Sequence, residues 1–431
     1  MPQLSRQTEN LISRYQTWYK ALEPPKGNVA TIHVDEVASK VAAFYEKIRG
    51  VIDWREEHLL RRGAIERILK RRFFLGQNAE NLAATFVSEL IRGGYFPNDR
   101  IEETKVGQIQ KLLDKYIFIF KNSPPPPAEK IKIQLYDWVF SIAACEAEEL
   151  LDPPRKERAL IEYMEELMKE RISVSPQVQE EEKSTQISIA VQKALFKLDN
   201  AIISYHLLKK RYPEWLEIPQ PEGQNLLQDI AKNIYSIWGS IERDLEHPLA
   251  EKFYSICEKY DTPYLIIGDI LSGNPVKENL DKPEIWESSI REAYAKRLRQ
   301  LRSRVGRAAI YSTISIFATK ILLAMAIEIP FDRYVTHNFN LQALWLNIAI
   351  PPALMFFLVL TIRLPKKKNI ERVVIEAMKI LFTSEKKDIY PVKLPQKRGI
   401  IINAMITLFY LISFIISFGF IWFGLEALHF G

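Results

Sequence analysis

The amino-acid sequence predicts an all-α protein, with a multi-helix cytoplasmic region followed by a three-helix transmembrane region. Three observations carry that class. Apolar residues recur three and four apart through roughly the first 305 residues, long period-two alternation is absent, and three long apolar runs crowd into the last quarter of the 431 residues. With 47% hydrophobic and 26% charged residues, the composition is that of a folded chain, long enough for more than one compact unit.

The opening stretch MPQLSRQTENLISRYQTWYK has no uninterrupted apolar core and no small-residue cleavage site, so it does not read as a secretory signal. Val37, Val41, Phe44, Ile48 and Ile52 then make one helical stripe. The most basic soluble segment follows, Arg55 to Arg72, with seven basic residues against three acidic ones. On a helix, Arg61, Arg62, Arg67, Lys70, Arg71 and Arg72 suit anionic lipid headgroups or an acidic partner. Its aromatics, Trp54, Phe73 and Phe74, lie at the ends instead of interleaving as stacking platforms, which counts against nucleic acid. Glu146 to Lys183, with twelve acidic and six basic residues, offers these cations a partner within the chain.

Two breaks divide the soluble region. Asn122-Ser123 followed by Pro124 to Pro127 cannot continue a helix, because proline lacks the donor and clashes with the preceding turn. Ser173 to Ser184 lacks apolar periodicity. The expected units are residues 1–121, an acidic helical unit at 128–172, a third unit at 185–305, and a membrane region at 306–431. Within the third, Ile187, Val191, Leu195, Leu198, Ile202 and Tyr205 form a continuous stripe suited to helix packing. Thr262-Pro263 and Lys282-Pro283-Glu284 put a cap and an N1 proline at two later helix starts. The second of these helices, lined by Trp286, Ile290, Tyr294, Leu298 and Leu301, is expected to run into the first span as a rod. Gly306 is its weak point, and its length is roughly 65 Å.

The expected spans cover about 308–329, 344–362 and 400–425, each near the ~20 residues that a hydrocarbon core requires. Pro351-Pro352 predicts a kink in the second. Flanking charge sets the orientation. Arg291 to Arg307 holds seven basic residues against Glu292, the loop after the first span holds Arg333 alone, and Arg363 to Arg398 holds eleven basic against four acidic residues. By the positive-inside rule the amino terminus is cytoplasmic and the carboxyl terminus outside. Between the second and third spans, Ile370, Val373, Val374, Ala377, Ile380 and Leu381 form an apolar stripe flanked by Lys366, Lys367, Lys368, Lys386 and Lys387. It reads as an interfacial helix at about 370–382 reaching anionic headgroups, with packing against the soluble region as the rival.

Polar residues inside the spans are few: Lys320, Asn347, Asn403 and, at the outer edge, Glu328. An ionisable intramembrane residue marks a candidate site. Elsewhere the sequence carries no phosphate-binding glycine loop, HExxH, GxSxG or EF-hand pattern, so no catalytic, cofactor or metal residues are assigned. Cys145 and Cys257 are far apart and outside any CxxC, and the six histidines lack ligand spacing. The expectation is a membrane-anchored helical adaptor or scaffold, engaging the bilayer and either a protein partner or further copies of itself. The alternatives are a transporter or channel subunit centred on Lys320, and a membrane-bound enzyme.

Overall fold

The computed structural model describes residues 3–22, 30–34, 54–74, 82–175, 178–216, 224–273, 282–336, 341–361, 368–382, 388–393 and 400–427. The predicted stripe from Val37 to Ile52 lies outside them. In chain order the elements are α1 (Arg6–Leu22), α2 (Trp54–Phe74), α3 (Leu82–Arg92), α4 (Thr104–Asn122), α5 (Glu129–Leu151), α6 (Arg155–Arg171) and β1 (Ile172–Ser175). Next come α7 (Glu180–Phe196), α8 (Asn200–Arg211), α9 (Gln224–Lys232), α10 (Ile234–Leu245), α11 (Ala250–Lys259), α12 (Asp261–Gly273) and α13 (Pro283–Leu323). The last are α14 (Leu341–Thr361), α15 (Asn369–Leu381), β2 (Tyr390–Lys393) and α16 (Ile400–Ala427). The chain divides into two compact units. The first joins Met1–Trp286 with Glu376–Leu394, and the second joins Glu287–Ile375 with Pro395–Gly431.

In the first unit, α2 packs on α5, α1 on α6, α7 between α6 and α11, and α5 against α8. The proline run works as a sharp turn here. Ser123 leaves the helix in an extended conformation while its N–H and hydroxyl both return to the Ile119 carbonyl, at 3.0 and 2.6 Å. Helices α4 and α5 on either side of it pack on each other, so no domain border falls there. The predicted continuous stripe from Ile187 to Tyr205 is two helices instead. Lys197 takes a left-handed conformation (φ 50°) after α7, and Asp199 restarts the chain by accepting the Ile202 N–H at 3.2 Å. All six stripe residues are buried on both sides of that break. Apolar spacing located the core correctly and was blind to the cap.

Ser173 and its neighbours, read as a gap, form a strand. β1 pairs in parallel with β2, with Ile172 opposite Tyr390 and Val174 opposite Val392. The segment Glu376–Leu394 is therefore woven into the first unit although α13 and α14 precede it in the chain. Leu4 bridges Phe382, the Ser5 N–H donates to the Leu381 carbonyl at 2.9 Å, and the Tyr163 hydroxyl donates to the Ile380 carbonyl at 3.3 Å. Tyr390 stacks on Tyr260 with centroids 4.1 Å apart, and Arg171 hydrogen-bonds it. Ala377, Ile380, Leu381 and Phe382 are buried. The stripe assigned to a headgroup-facing helix is thus, over these residues, covered by protein. Amphipathic spacing alone does not say whether lipid or protein fills the apolar side.

In the second unit α13 is one unbroken helix of 41 residues, about 60 Å long, with Gly306 inside it. It continues through two wider π-type turns, Ala324–Glu328 and Asp332–Thr336. Helix α14 runs on through Pro351 and Pro352. Two helices are long and apolar enough to cross a membrane, Pro283–Val335 and Ala404–Gly424, with a shorter apolar helix at Leu344–Val359. Their large apolar side chains face outward: Phe409, Tyr410, Phe420, Trp422 and Phe423 are each at least 70% exposed.

Candidate functional site

The predicted intramembrane residues converge. The Lys320 ammonium lies 3.5 Å from the Asn347 side-chain oxygen, at the outer limit of a hydrogen bond, and the Asn347 amide donates to Glu328 Oε1 at 2.7 Å. Asn347 bridges the two ionisable groups with the acceptor and the donor ends of its amide, one to each sign of charge. Pro351 has no N–H to return to the Asn347 carbonyl, so helix α14 presents a second polar group at the same level. The π-type turn at Ala324–Glu328 lies between the two charged residues, and Glu328 closes it. Asn403 lies in α16, and its side chain is outside the described residues.

The basic helix α2 turns inward. Arg61 is 4% exposed, donates from Nε to Glu148 Oε1 at 2.5 Å and from NH1 to Asp152 Oδ2 at 2.9 Å, and stands 5.1 Å over the Phe96 ring. Arg62 makes a two-pronged pair with Asp199, Lys70 meets Asp137 and Glu66 at 2.6 and 2.8 Å, and Arg71 and Arg72 share Glu89. Arg67 is exposed. Five of the six candidates thus face the chain's own carboxylates, and only Glu148 and Asp152 of these come from the predicted acidic segment. Lys368 is exposed, whereas Lys366, Lys367, Lys386 and Lys387 lie outside the described residues.

Arg61 also leads to a site the sequence did not disclose, a cavity of about 200 Å³ in the first unit. Helices α1, α2, α5, α6 and α8 build it. At the joint between α5 and α6, Asp152-Pro153-Pro154 ends one helix and starts the next, which brings Glu148 and Glu149 from the last turn of α5 beside Arg155 to Arg158 in the first turn of α6. On the α2 side, His58 Nδ1 lies 2.8 Å from the same Glu148 oxygen that Arg61 engages. Glu148 is 2% exposed, and its second oxygen, Oε2, is buried without a hydrogen bond from the described protein.

On the α8 side, Lys209 donates to both oxygens of Glu149 at 2.7 Å, and Arg158 pairs with the same carboxylate. Burial pushes Glu149 up, but these two cations hold it below the usual carboxylate range. His206 lines the cavity and contacts Gln192 Oε1 through Nδ1 at 2.6 Å. Gln192 donates onward to the Ser188 hydroxyl at 3.2 Å, and Ser188 donates to Glu165 at 2.6 Å. That chain makes Nδ1 the donor and leaves Nε2 as an acceptor. Burial, with Lys209 close by, pushes His206 down to about 3, so it is neutral near pH 7. Burial also raises the Cys145 thiol at the cavity wall, keeping it protonated. Burial thus favours the neutral forms of both His206 and Cys145 in this cavity.

No group of three or more His, Cys, Asp or Glu side chains is arranged to hold a metal ion among the described residues. No protein-family model, curated protein or solved structure matches the chain.

Proposed function

We propose that this protein is a membrane-anchored helical adaptor whose three crossings hold its first unit at the cytoplasmic face. The observation that carries the reading is the pairing of β1 with β2. Two strands of one sheet lie on one side of a bilayer. The chain between them, which contains α13 and α14, then crosses an even number of times, and α16 crosses once more. That parity agrees with a hairpin plus one span, and the basic clusters before α13 and between α14 and α16 agree with both flanks being cytoplasmic. The soluble unit is thereby tied covalently to the membrane helices at Trp286, Glu376 and Leu394. Three attachments suit a platform that recruits a partner at the membrane.

The test has two arms. Single cysteines at Glu9, Lys368 and Glu426, in a chain lacking Cys145 and Cys257, are probed on intact cells with an impermeant maleimide. Labelling of Glu426→Cys alone is expected, and labelling that separates Glu9→Cys from Lys368→Cys breaks the parity. The full chain purified in mild detergent is then expected to retain a stoichiometric protein partner, and a chain that purifies with no other protein counts against the adaptor role.

The contact of Lys320, Asn347 and Glu328 favours a second reading, a transporter or channel subunit, because intramembrane ionisable groups mark substrate or ion paths. On that reading Lys320→Leu abolishes a flux in proteoliposomes without lowering the amount of protein inserted.

A further inference from the structure

The 200 Å³ cavity of the first unit is lined by ion pairs that leave one buried carboxylate oxygen, Glu148 Oε2, without a hydrogen bond from the described protein. Its lining is balanced in charge: Arg61, Arg155, Lys156 and Arg158 against Glu148, Glu149, Asp152 and Glu157. The signs are not mixed evenly. Two acceptors belong to lining residues, the buried Oε2 of Glu148 and Nε2 of neutral His206, the latter 3.9 Å from Glu149 Oε2 and beyond hydrogen-bond distance of it; each sits on a side chain whose other polar atom is already engaged. The cations cluster on the first turn of α6. There the start of the helix adds partial positive charge, and Lys156 stands 5.1 Å over the Trp18 ring and 3.5 Å from Glu157. Leu198, Ile202 and Ile161 supply apolar surface.

Charge complementarity then selects the occupant. A purely anionic ligand meets the buried carboxylate of Glu148, a purely cationic one meets Arg155, Lys156 and Arg158, and an apolar one strips water from these groups without replacing its hydrogen bonds. A molecule carrying both charges satisfies both ends. The volume suits something of amino-acid size and is below the usual range for drug-sized or nucleotide ligands. We propose that this cavity binds a small zwitterion of the α-amino-acid class, its ammonium donating to Glu148 Oε2 and His206 Nε2 and its acid group received by Arg155, Lys156 and Arg158. The site lies wholly within the first unit and is independent of the membrane topology argued above. It gives the adaptor a metabolite-responsive state.

The experiment uses the full-length chain in detergent micelles. Thermal unfolding and isothermal titration are run with each of the twenty free amino acids, with acetate and methylammonium as half-ligands, and with inorganic phosphate. At least one amino acid is expected to raise the melting temperature while neither half-ligand does. Glu148→Gln and Lys156→Gln are each expected to weaken that binding by about tenfold, the loss of a charge-assisted hydrogen bond. Lys156 lies at the rim; its replacement loosens its 3.5 Å pair with Glu157 but leaves the Arg61–Glu148 and Lys209–Glu149 pairs intact, so it decides the matter if Glu148→Gln fails to fold. Failure of every amino acid to bind, a response to phosphate or acetate equal to that of any zwitterion, or unchanged affinity in either folded variant overturns the proposal.

Discussion

Replacing Arg61 with methionine tests how the charged core of the first unit is held together. Methionine keeps an apolar stem of similar length and removes the guanidinium, whose carbon stands over Phe96. Glu148, 2% exposed, then loses its 2.5 Å donor and keeps His58, whereas Asp152, with 59% of its side chain exposed, is rehydrated at little cost. Removing one partner of a buried ion pair costs about 3–5 kcal/mol, and the remaining histidine contact places this case near ~3 kcal/mol. At about 2 °C per kcal/mol for a unit of this size, the melting temperature falls by roughly 6 °C. Cys145 and Cys257 are both buried in this unit, so a thiol-reactive fluorogenic dye reports its unfolding and not that of the membrane helices. The double variant Arg61→Met/Glu148→Met, which replaces both charges, is expected to recover at least half of the loss. A shift below 2 °C for Arg61→Met, or a double variant as unstable as the two single changes added together, refutes the argument that Glu148 depends on this arginine.

Three further outcomes follow from the same structure. Because His206 is pushed from 6.5 down to about 3, the unfolded chain takes up a proton between those values that the folded chain refuses, so stability falls as pH drops through that window. Between pH 7 and 5 the loss is about 1–2 kcal/mol by linkage, and the stability of His206→Gln measured by the same dye is expected to be flatter there. Leu381→Ala, at a fully buried position, is expected to lower the stability of the first unit by about 2–5 kcal/mol. A stripe lying in lipid headgroups gives no such change and instead loses affinity for anionic vesicles. Asn347→Leu removes the bridge between Lys320 and Glu328, and steric trapping in bicelles is expected to register about 1 kcal/mol lost from the hairpin, in the range of interhelical hydrogen bonds in membranes. A variant as stable as the parent removes the bridge from the account.

Much of the helical scaffold was legible because its cause is local. Pro283 opens its helix as predicted, Gly306 interrupts nothing, and the stripe from Ile187 to Tyr205 is core throughout. Pro263 falls in a first turn that starts two residues earlier at Asp261, so Thr262 is inside the helix and not its cap. Lys320, Glu328 and Asn347 could be singled out by polarity in apolar surroundings, and the structure brings these three together. What stayed hidden depends on distant partners. The strands ISVS and YPVK are four residues each, too short for alternation to register, and each exists only because the other lies beside it. The cavity was invisible for the same reason. Glu148 and Glu149 read as part of an acidic surface, and His58 and His206 as scattered histidines, until five helices bring them within bonding distance. The one local sign was the sequence Asp152-Pro153-Pro154-Arg155, a helix end directly followed by a helix start.

The parallel pairing of Ile172–Ser175 with Tyr390–Lys393 also sets a timetable. Chains emerge from the ribosome at about 5–20 residues per second, and β2 is made roughly a hundred residues after Trp286, an interval of several seconds or more. Throughout it the first unit waits with one strand unpartnered and with no Ile380 carbonyl for the Tyr163 hydroxyl. During the same interval α13 and α14 are synthesised. The first unit is completed only after α13, α14 and the segment that follows them have been synthesised. A chain that stops short of β2 keeps an open edge at β1, the kind of exposed feature that chaperones and proteases recognise. The strand pair is in this sense a latch, closing only once the chain has been made through Lys393.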